Sequence, residues 1–579
     1  LSLDVYEPLD QYEQRFKAEF ARHSEAAWAA LLAQSGVDAE LNAELMRSIQ
    51  HFERQKQQAN NNLFLWQLFL TLLIAAALLL LLLSFAHHAA WLLLLLADLV
   101  FIIKYAYPGY RRVRGQISEI DKQIRQNIAT AWKQMEPLNR LYDWDLTLKI
   151  IEQTVPRLQF DPYFNQARLL ELTRHFQLEE QLPDDQSVLF AQSGQINGNP
   201  FVFGELQEMN WGSKTYVGQI NISWRQRMRD KDGRFYYVSR TQTLSASCSK
   251  PVPLYERRHF LVYGNDAAPN LSFSRSPSKL SGKDKGFLQG LQRRHQLGKL
   301  KAFSRNLDDA SEYTMMANEE FELLFNAKDR DHEVEFRLLF TALAQQQMLK
   351  LLQDRKVGYG DNFHFFKNRK INLLFPRHLQ DFSLDSNPRK FHDYNLAKAR
   401  QFFLRHNAEY FKVLYFALAP LLAIPVYQQV RSQGSIYGQE QAKRACAWEC
   451  ESLANYLGED KFEHPFCISN SILKSRFVER QGALSIWELR ALGYKGEKRV
   501  EYHSALGGDG RLHKIPVYWT EYLPVEKSSR LELSEQDASS IKDAYSAKPS
   551  WGAELPAWQN SNRSRAYRRK IVSFLQEKI

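Results

Sequence analysis

A chain of 579 residues is too long for a single hydrophobic core, and 44% hydrophobic with 24% charged residues is ordinary globular composition. A mean hydropathy of −0.45 excludes a protein that lies mostly in lipid. The net charge of +11 suits a neighbour of anionic lipid or nucleic acid, and four cysteines are too few for a disulfide framework.

In chain order, residues 10–34 read as an amphipathic helix carrying Phe16, Phe20 and Trp28. Asp38 is placed to cap a second helix, in which Leu41, Leu45, Ile49 and Phe52 recur at helical spacing. From Leu63 to Phe85 the chain runs 23 residues without a charge, enough to cross a hydrocarbon core of roughly 30 Å. A second apolar stretch spans Ala89 to Ala106, flanked by Tyr105, Tyr107 and Tyr110 as an interfacial belt. Only Ala86, His87 and His88 separate the two, which requires an antiparallel hairpin. Arg54 and Lys56 before it and Arg111, Arg112 and Arg114 after it put both flanks, and with them both termini, in the cytoplasm. Asp98 in the second span and Thr71 in the first are the intramembrane polar residues. An intramembrane carboxylate is read either as a functional group or as a partner for Thr71 or a second subunit.

After the spans, Val113, Ile117, Ile120, Ile124 and Ile128 form a second apolar stripe, so the two flanking helices are expected to pair as an antiparallel coiled-coil stalk ended by Pro137. The domain reading is 1–62 for the N-terminal helices, 63–106 for the membrane hairpin and 107–137 for the returning helix. It continues with 138–310 and 311–430 for two α+β domains and 431–579 for a C-terminal region. The fold class is therefore α+β: a transmembrane hairpin, a stalk and a large mixed cytoplasmic body.

Within the body, Thr215–Trp224 and Arg234–Leu244 read as strands joined at Asp230-Lys231-Asp232-Gly233, a hairpin turn rather than a calcium loop, whose other ligands are missing. From Arg275 to Arg305 nine Lys/Arg face only Asp284, and Arg293, Arg294, Lys299 and Lys301 are candidate contacts for anionic headgroups. Nucleic acid is the weaker partner there, since the segment offers only Phe287 and Phe303 for stacking. Phe321–Phe325 reads as a strand, Glu333–Leu352 as one long helix and 363–375 as a hairpin. The apolar run Val413–Val426, interrupted by Pro420 and Pro425, reads as a core strand with a buried turn.

The block Phe321-Glu-Leu-Leu-Phe325, then Glu333-Val-Glu-Phe-Arg337-Leu-Leu-Phe-Thr341, then the 363–375 hairpin resembles a family of uncharacterised bacterial two-pass membrane proteins often encoded beside LemA-type genes. The resemblance covers about 100 residues and the membrane hairpin, and implies an inner-membrane location. That family has no assigned activity, so no site residue carries over.

Cys446, Cys450, His464 and Cys467 are the metal candidates, four soft ligands within 22 residues that suit zinc, against the reading of buried thiols on a helix face. His503, Asp509 and His513 surround a glycine-rich turn and are a second place for metal or proton chemistry. Arg568 and Arg569 open a basic amphipathic tail expected to lie on the membrane or dock on a partner, or to be a surface helix packed on its own domain. No catalytic motif is present. The leading expectation is a membrane-anchored interaction protein recruiting protein partners, a second copy of itself or anionic lipid, with no cofactor required. A membrane-surface enzyme or an oligomeric channel are the alternatives.

Overall fold

The computed structural model describes residues 6–86, 90–229, 231–278, 297, 299, 313–431, 444–481, 484–535 and 564–575. It is mixed α+β and divides into two compact units, one of residues 21–143 and 387–408 and the other of the remainder.

The first unit is helical. A helix runs from Ala39 to Ala86, and a continuous helical path returns as Ala90–Phe101, a π turn over Ile102–Ala106, and Tyr107–Leu141. Both are long and apolar enough to cross a membrane. Their apolar windows are almost uncovered by protein, with Leu72, Leu82, Leu93 and Ile103 each at least 61% exposed. Such a band is costly in water and favourable in hydrocarbon. Beyond it the helices lie side by side: Lys56 meets Asp121 at 2.7 Å, the Asn127 amide donates to Ser48, and the Gln134 amide donates to the Asp38 carbonyl. Asp38 caps as its position suggests, its Oδ1 accepting from the Glu40 amide at 2.8 Å. Ile49 and Ile124 of the two stripes are buried, while Leu41 is 47% exposed. Pro137 does not end its helix, which continues to Leu141. Proline there removes one bond of the last turn, and the buried Leu138 and the Asn139 amide, donating to the Asp393 carbonyl, hold that turn.

The second unit is built on two antiparallel sheets. Its strands are β1 (Leu158–Phe160), β2 (Gln186–Ile196), β3 (Asn199–Arg229), β4 (Phe235–Gly264), β5 (Ser272–Arg275), β6 (Phe363–Asn368) and β7 (Ile371–Pro376) in one sheet. The other holds β8 (Ile472–Gln481), β9 (Leu484–Leu506), β10 (Leu512–Ser534), β11 (Ser564–Arg568) and β12 (Ile571–Leu575). The helix Ala447–Leu457 is wedged between them, with Cys450, Leu453 and Leu457 in the core of the five-stranded sheet and Cys446 and Trp448 in that of the seven-stranded one. Its polar groups complete both sheets. A bulge after Val188 takes β2 out of register, and the Glu451 carboxylate accepts from the freed Val188 amide at 3.1 Å and from Ser475 of β8 at 3.3 Å.

Several expectations are corrected here. Phe321–Phe325 is helical, within Glu319–Phe325, because Asn318 caps it and every residue from Phe321 to Phe325 is buried. Glu333–Leu352 is two helices broken at Phe340, where Thr341 caps the second. Val413–Val426 is not a strand: residues 396–412 upstream start a helix that runs to Leu422, and Pro425 opens the next. Residues 321–341 and their surroundings hold a buried ion network, with Arg330 donating to Glu322 at 2.8 Å and to Glu333 at 2.7 Å.

The basic tail is a β-hairpin, not an amphipathic helix, and Arg568 and Arg569 are each only 1% exposed. Arg569 and Lys570 form its two-residue turn with φ of 46° and 66°, the left-handed geometry that such turns require. The Arg568 guanidinium donates to the Ser452 carbonyl at 2.7 Å, and Arg569 pairs with the fully buried Glu449 at 3.2 Å. Removing one partner of a buried pair strands the other charge. Arg569→Met should therefore lower the stability of this unit by about 3–5 kcal/mol in denaturant titration. Adding Glu449→Gln should recover part of that loss, whereas additive losses would show that the pair is not coupled.

Two buried imidazoles make the same unit acid-sensitive. His259 in β4 has no hydrogen-bond partner at either ring nitrogen, and burial followed by the nearby Arg257 pushes its pKa down to about 4. His378 stacks on Tyr359 at 4.0 Å, and burial pushes it to about 4 as well. Between the ordinary value of about 6.5 and about 4 the unfolded chain binds more protons, so stability falls as pH drops through that window. His259→Phe should flatten the fall in melting temperature between pH 6.5 and 4, and an unchanged slope would remove His259 as a cause.

Candidate functional site

The strands of two hairpins outrun their sheets. β3 and β4 pair without a break from Phe201 opposite Tyr263 to Arg229 opposite Phe235. β9 and β10 pair from Leu484 opposite Ser534 to Leu506 opposite Leu512. The distal half of β3 and β4, residues 210–229 and 235–253, would extend about 65 Å at strand rise. The two ribbons pack face to face as an arm.

Alternation along each strand builds that interface. One face of the first ribbon carries Tyr216, Gly218, Ile220 and Ile222 and, opposite, Leu244, Ala246, Cys248 and Lys250. The second ribbon turns Glu501, His503 and Ala505, with Ile515 and Val517, to the same side. Ile222, Leu244 and Ile515 form a small buried cluster, with Trp224, Ala246 and Ala505 packed against it. At the turn of the second ribbon the Gly508 amide donates to the Gln242 side chain at 2.8 Å, and Gly510 takes φ of 77°. Because that turn ends on Trp224 and Gln242, residues 225–240 of the first ribbon continue past the second ribbon, uncovered by it among the described residues. They hold six Lys/Arg against two Asp. Phe235, Tyr236 and Tyr237 there are 56%, 48% and 68% exposed, and the Arg227 guanidinium lies 3.6 Å over the Phe235 ring.

Charged groups cross the ribbon interface. Lys250 Nζ lies 2.6 Å from Glu501 Oε2 and 4.7 Å over the Trp519 ring. Glu501 Oε1 lies 3.3 Å from His503 Nε2, and Cys248 Sγ joins them, all three ligand atoms being within 4.8 Å of one another. The lysine beside Glu501 lowers that carboxyl's pKa. Towards the base of the arm the sheets part around a cleft of about 470 Å³ lined by Asp184, Asp185, Met209, Tyr255, Tyr494 and Glu526.

The residues expected from sequence fall elsewhere. Cys446, Cys450, His464 and Cys467 do not converge. Cys446 and Cys450 sit in the cores of different sheets, where burial pushes both thiols well above their ordinary range and so disfavours thiolate. His464 accepts from the Phe466 amide, and Cys467 donates to the Ser469 carbonyl at 3.2 Å. His513 meets Asp509 at 3.0 Å, while His503 turns to Glu501 instead. The Thr71 hydroxyl donates to the Leu68 carbonyl at 2.7 Å, while Asp98 Oδ2 is covered and accepts no hydrogen bond.

Of the basic stretch, Arg293, Arg294 and Lys301 lie outside the described residues, Lys299 is exposed, and Arg275 is buried against Asp361 at 2.5 Å. The burial of Arg568 and Arg569 turns both guanidinium groups to protein acceptors rather than to a lipid surface. Cys248, Lys250 and Glu501 were missed because 253 residues separate Cys248 from Glu501 and only the ribbon packing joins them.

Comparison with protein-family models, curated proteins and solved structures finds no match.

The ribbons approach closely at Gly218, where an added Cβ would stand 2.1 Å from the Pro516 carbonyl oxygen. Backbone cannot yield as a flexible side chain can, so Gly218→Val should part the ribbons, at about 1–3 kcal/mol. Limited proteolysis should then cut residues 210–250 faster than in the unmodified chain. Equal rates would mean that the ribbons are not held at this point.

Proposed function

We propose that this chain is a two-pass membrane-anchored docking protein whose β-arm engages an anionic lipid surface. One observation carries the reading: the first ribbon extends past its cover with exposed Phe235, Tyr236 and Tyr237 interleaved with Arg225, Arg227, Arg229 and Arg234. A two-stranded ribbon is marginal by itself, and these side chains add nothing to a core. Aromatic rings favour the headgroup level of a bilayer, and each cation adds roughly 1 kcal/mol near an anionic surface. In this reading the two apolar helices are the anchor, their flanking helices form a coiled-coil stalk, and both termini and the body lie on the cytoplasmic side of the inner membrane. The exposed apolar band on those helices supports the anchor, and the arginines flanking it support the orientation.

The full chain, held in nanodiscs of phosphatidylcholine, should bind phosphatidylglycerol-containing vesicles more tightly than phosphatidylcholine vesicles, and the preference should weaken with salt. Arg225→Glu, Arg227→Glu and Arg229→Glu together should abolish the preference, and Tyr236→Ser with Tyr237→Ser should weaken binding to both vesicle types. Equal binding to the two vesicle types, or a triple variant that binds like the parent, would overturn the lipid reading in favour of a protein partner.

A further inference from the structure

The cluster at the ribbon interface has the chemistry of a metal site. Its three donors are a thiol, a carboxylate and an imidazole, a set suited to zinc and poorly suited to calcium or magnesium. Their origins are complementary. Cys248 comes from β4, while Glu501 and His503 stand two apart on β9 and therefore on one face.

The histidine decides between a metal site and an ordinary ion pair. An imidazolium 3.3 Å from a carboxylate would point its N–H at the oxygen, but His503 Nε2 is buried and makes no hydrogen bond. Nε2 and Glu501 Oε1 lie side by side at 3.3 Å without a hydrogen bond between them. Ligand distances of about 2.1 Å in a tetrahedral zinc site put neighbouring donors about 3.4 Å apart, close to the observed separation. The second carboxylate oxygen is held by Lys250 at 2.6 Å, which fixes the plane of the group, as outer partners of metal-bound carboxylates do.

We propose that Cys248, as thiolate, Glu501 and His503 bind one zinc ion, with a fourth position left to water or an external donor. The ion fastens the second ribbon to the first. Zinc then supplies to the arm what its small apolar cluster supplies only weakly, and the arm's rigidity follows metal supply. The inference rests on the ribbon packing and not on the lipid reading, because metal content is read without any vesicle.

The test uses the full chain in detergent, stripped with a chelator and titrated with zinc against a chromophoric competitor. One equivalent should bind with a dissociation constant at or below micromolar. Cys248→Ser and His503→Ala should each weaken it at least 100-fold, and Lys250→Met about 10-fold. Cys467→Ser should leave the affinity unchanged, as a control for general loss of thiol. Cobalt in place of zinc should give a thiolate charge-transfer band in the near ultraviolet that Cys248→Ser abolishes while circular dichroism stays that of the parent. Absence of stoichiometric zinc binding, or zinc retained by Cys248→Ser, would overturn the site.

Discussion

The β-rich unit depends on one helix carrying two buried carboxylates. Ala447–Leu457 offers apolar residues to the cores of both sheets, and Glu449 and Glu451 are 0% and 3% exposed. Glu451 bonds the Val188 amide of one sheet and the Ser475 amide of the other, so a single side chain ties two backbones. Glu449 accepts from the Phe164 amide and from Arg569, whose hairpin closes the edge of the five-stranded sheet. Burying charge is costly unless every group finds a partner. Here Glu451 is met by the Val188 and Ser475 amides, and Glu449 by the Phe164 amide and the Arg569 guanidinium. The bulge, the carboxylates and the terminal hairpin form one interlocked solution.

That helix also sets where the ribbons start. Each long hairpin begins as core strands flanking it and continues outward, so their facing surfaces meet without a loop to guide them. The contact is thin: a few aliphatic side chains, glycines that let backbones approach, and the Lys250–Glu501–His503–Cys248 group. Ribbons joined this lightly are sensitive to anything added at the seam, which makes the polar group there more consequential than its size suggests.

How far the sequence revealed this follows the range of each interaction. The two long apolar helices, the Asp38 cap and the strands at 215–224 and 234–244 were legible, since each rests on local periodicity or a turn within a few residues. The arm's full length was not: β3 continues for 31 residues through Gly204, Gly212 and Gly218, where neighbouring groups crowd the backbone. The helix at Glu319–Phe325 was hidden by its buried polar Glu322, satisfied by Tyr313, Met316 and Arg330. The zinc candidates near residue 450 stood against a reading of two core thiols, because a spacing of four on a helix face does not select a ligand pair. The cluster that does converge joins residues with no shared local pattern.

This division bears on where specificity can reside. The two long apolar helices present leucine-rich surface to their surroundings, which suits hydrocarbon without choosing a partner. Asp98 is the exception there, with one carboxylate oxygen covered and unbonded between apolar neighbours. The distal arm has the opposite character, with exposed aromatic and arginine side chains on a two-stranded support that contributes little to the core. Residues kept outside a core do not repay their exposure in folding free energy, so their contribution has to be sought in contact with something else. The distal arm therefore holds the exposed groups that folding does not account for, and the seam between its two ribbons sets how firmly those groups are held.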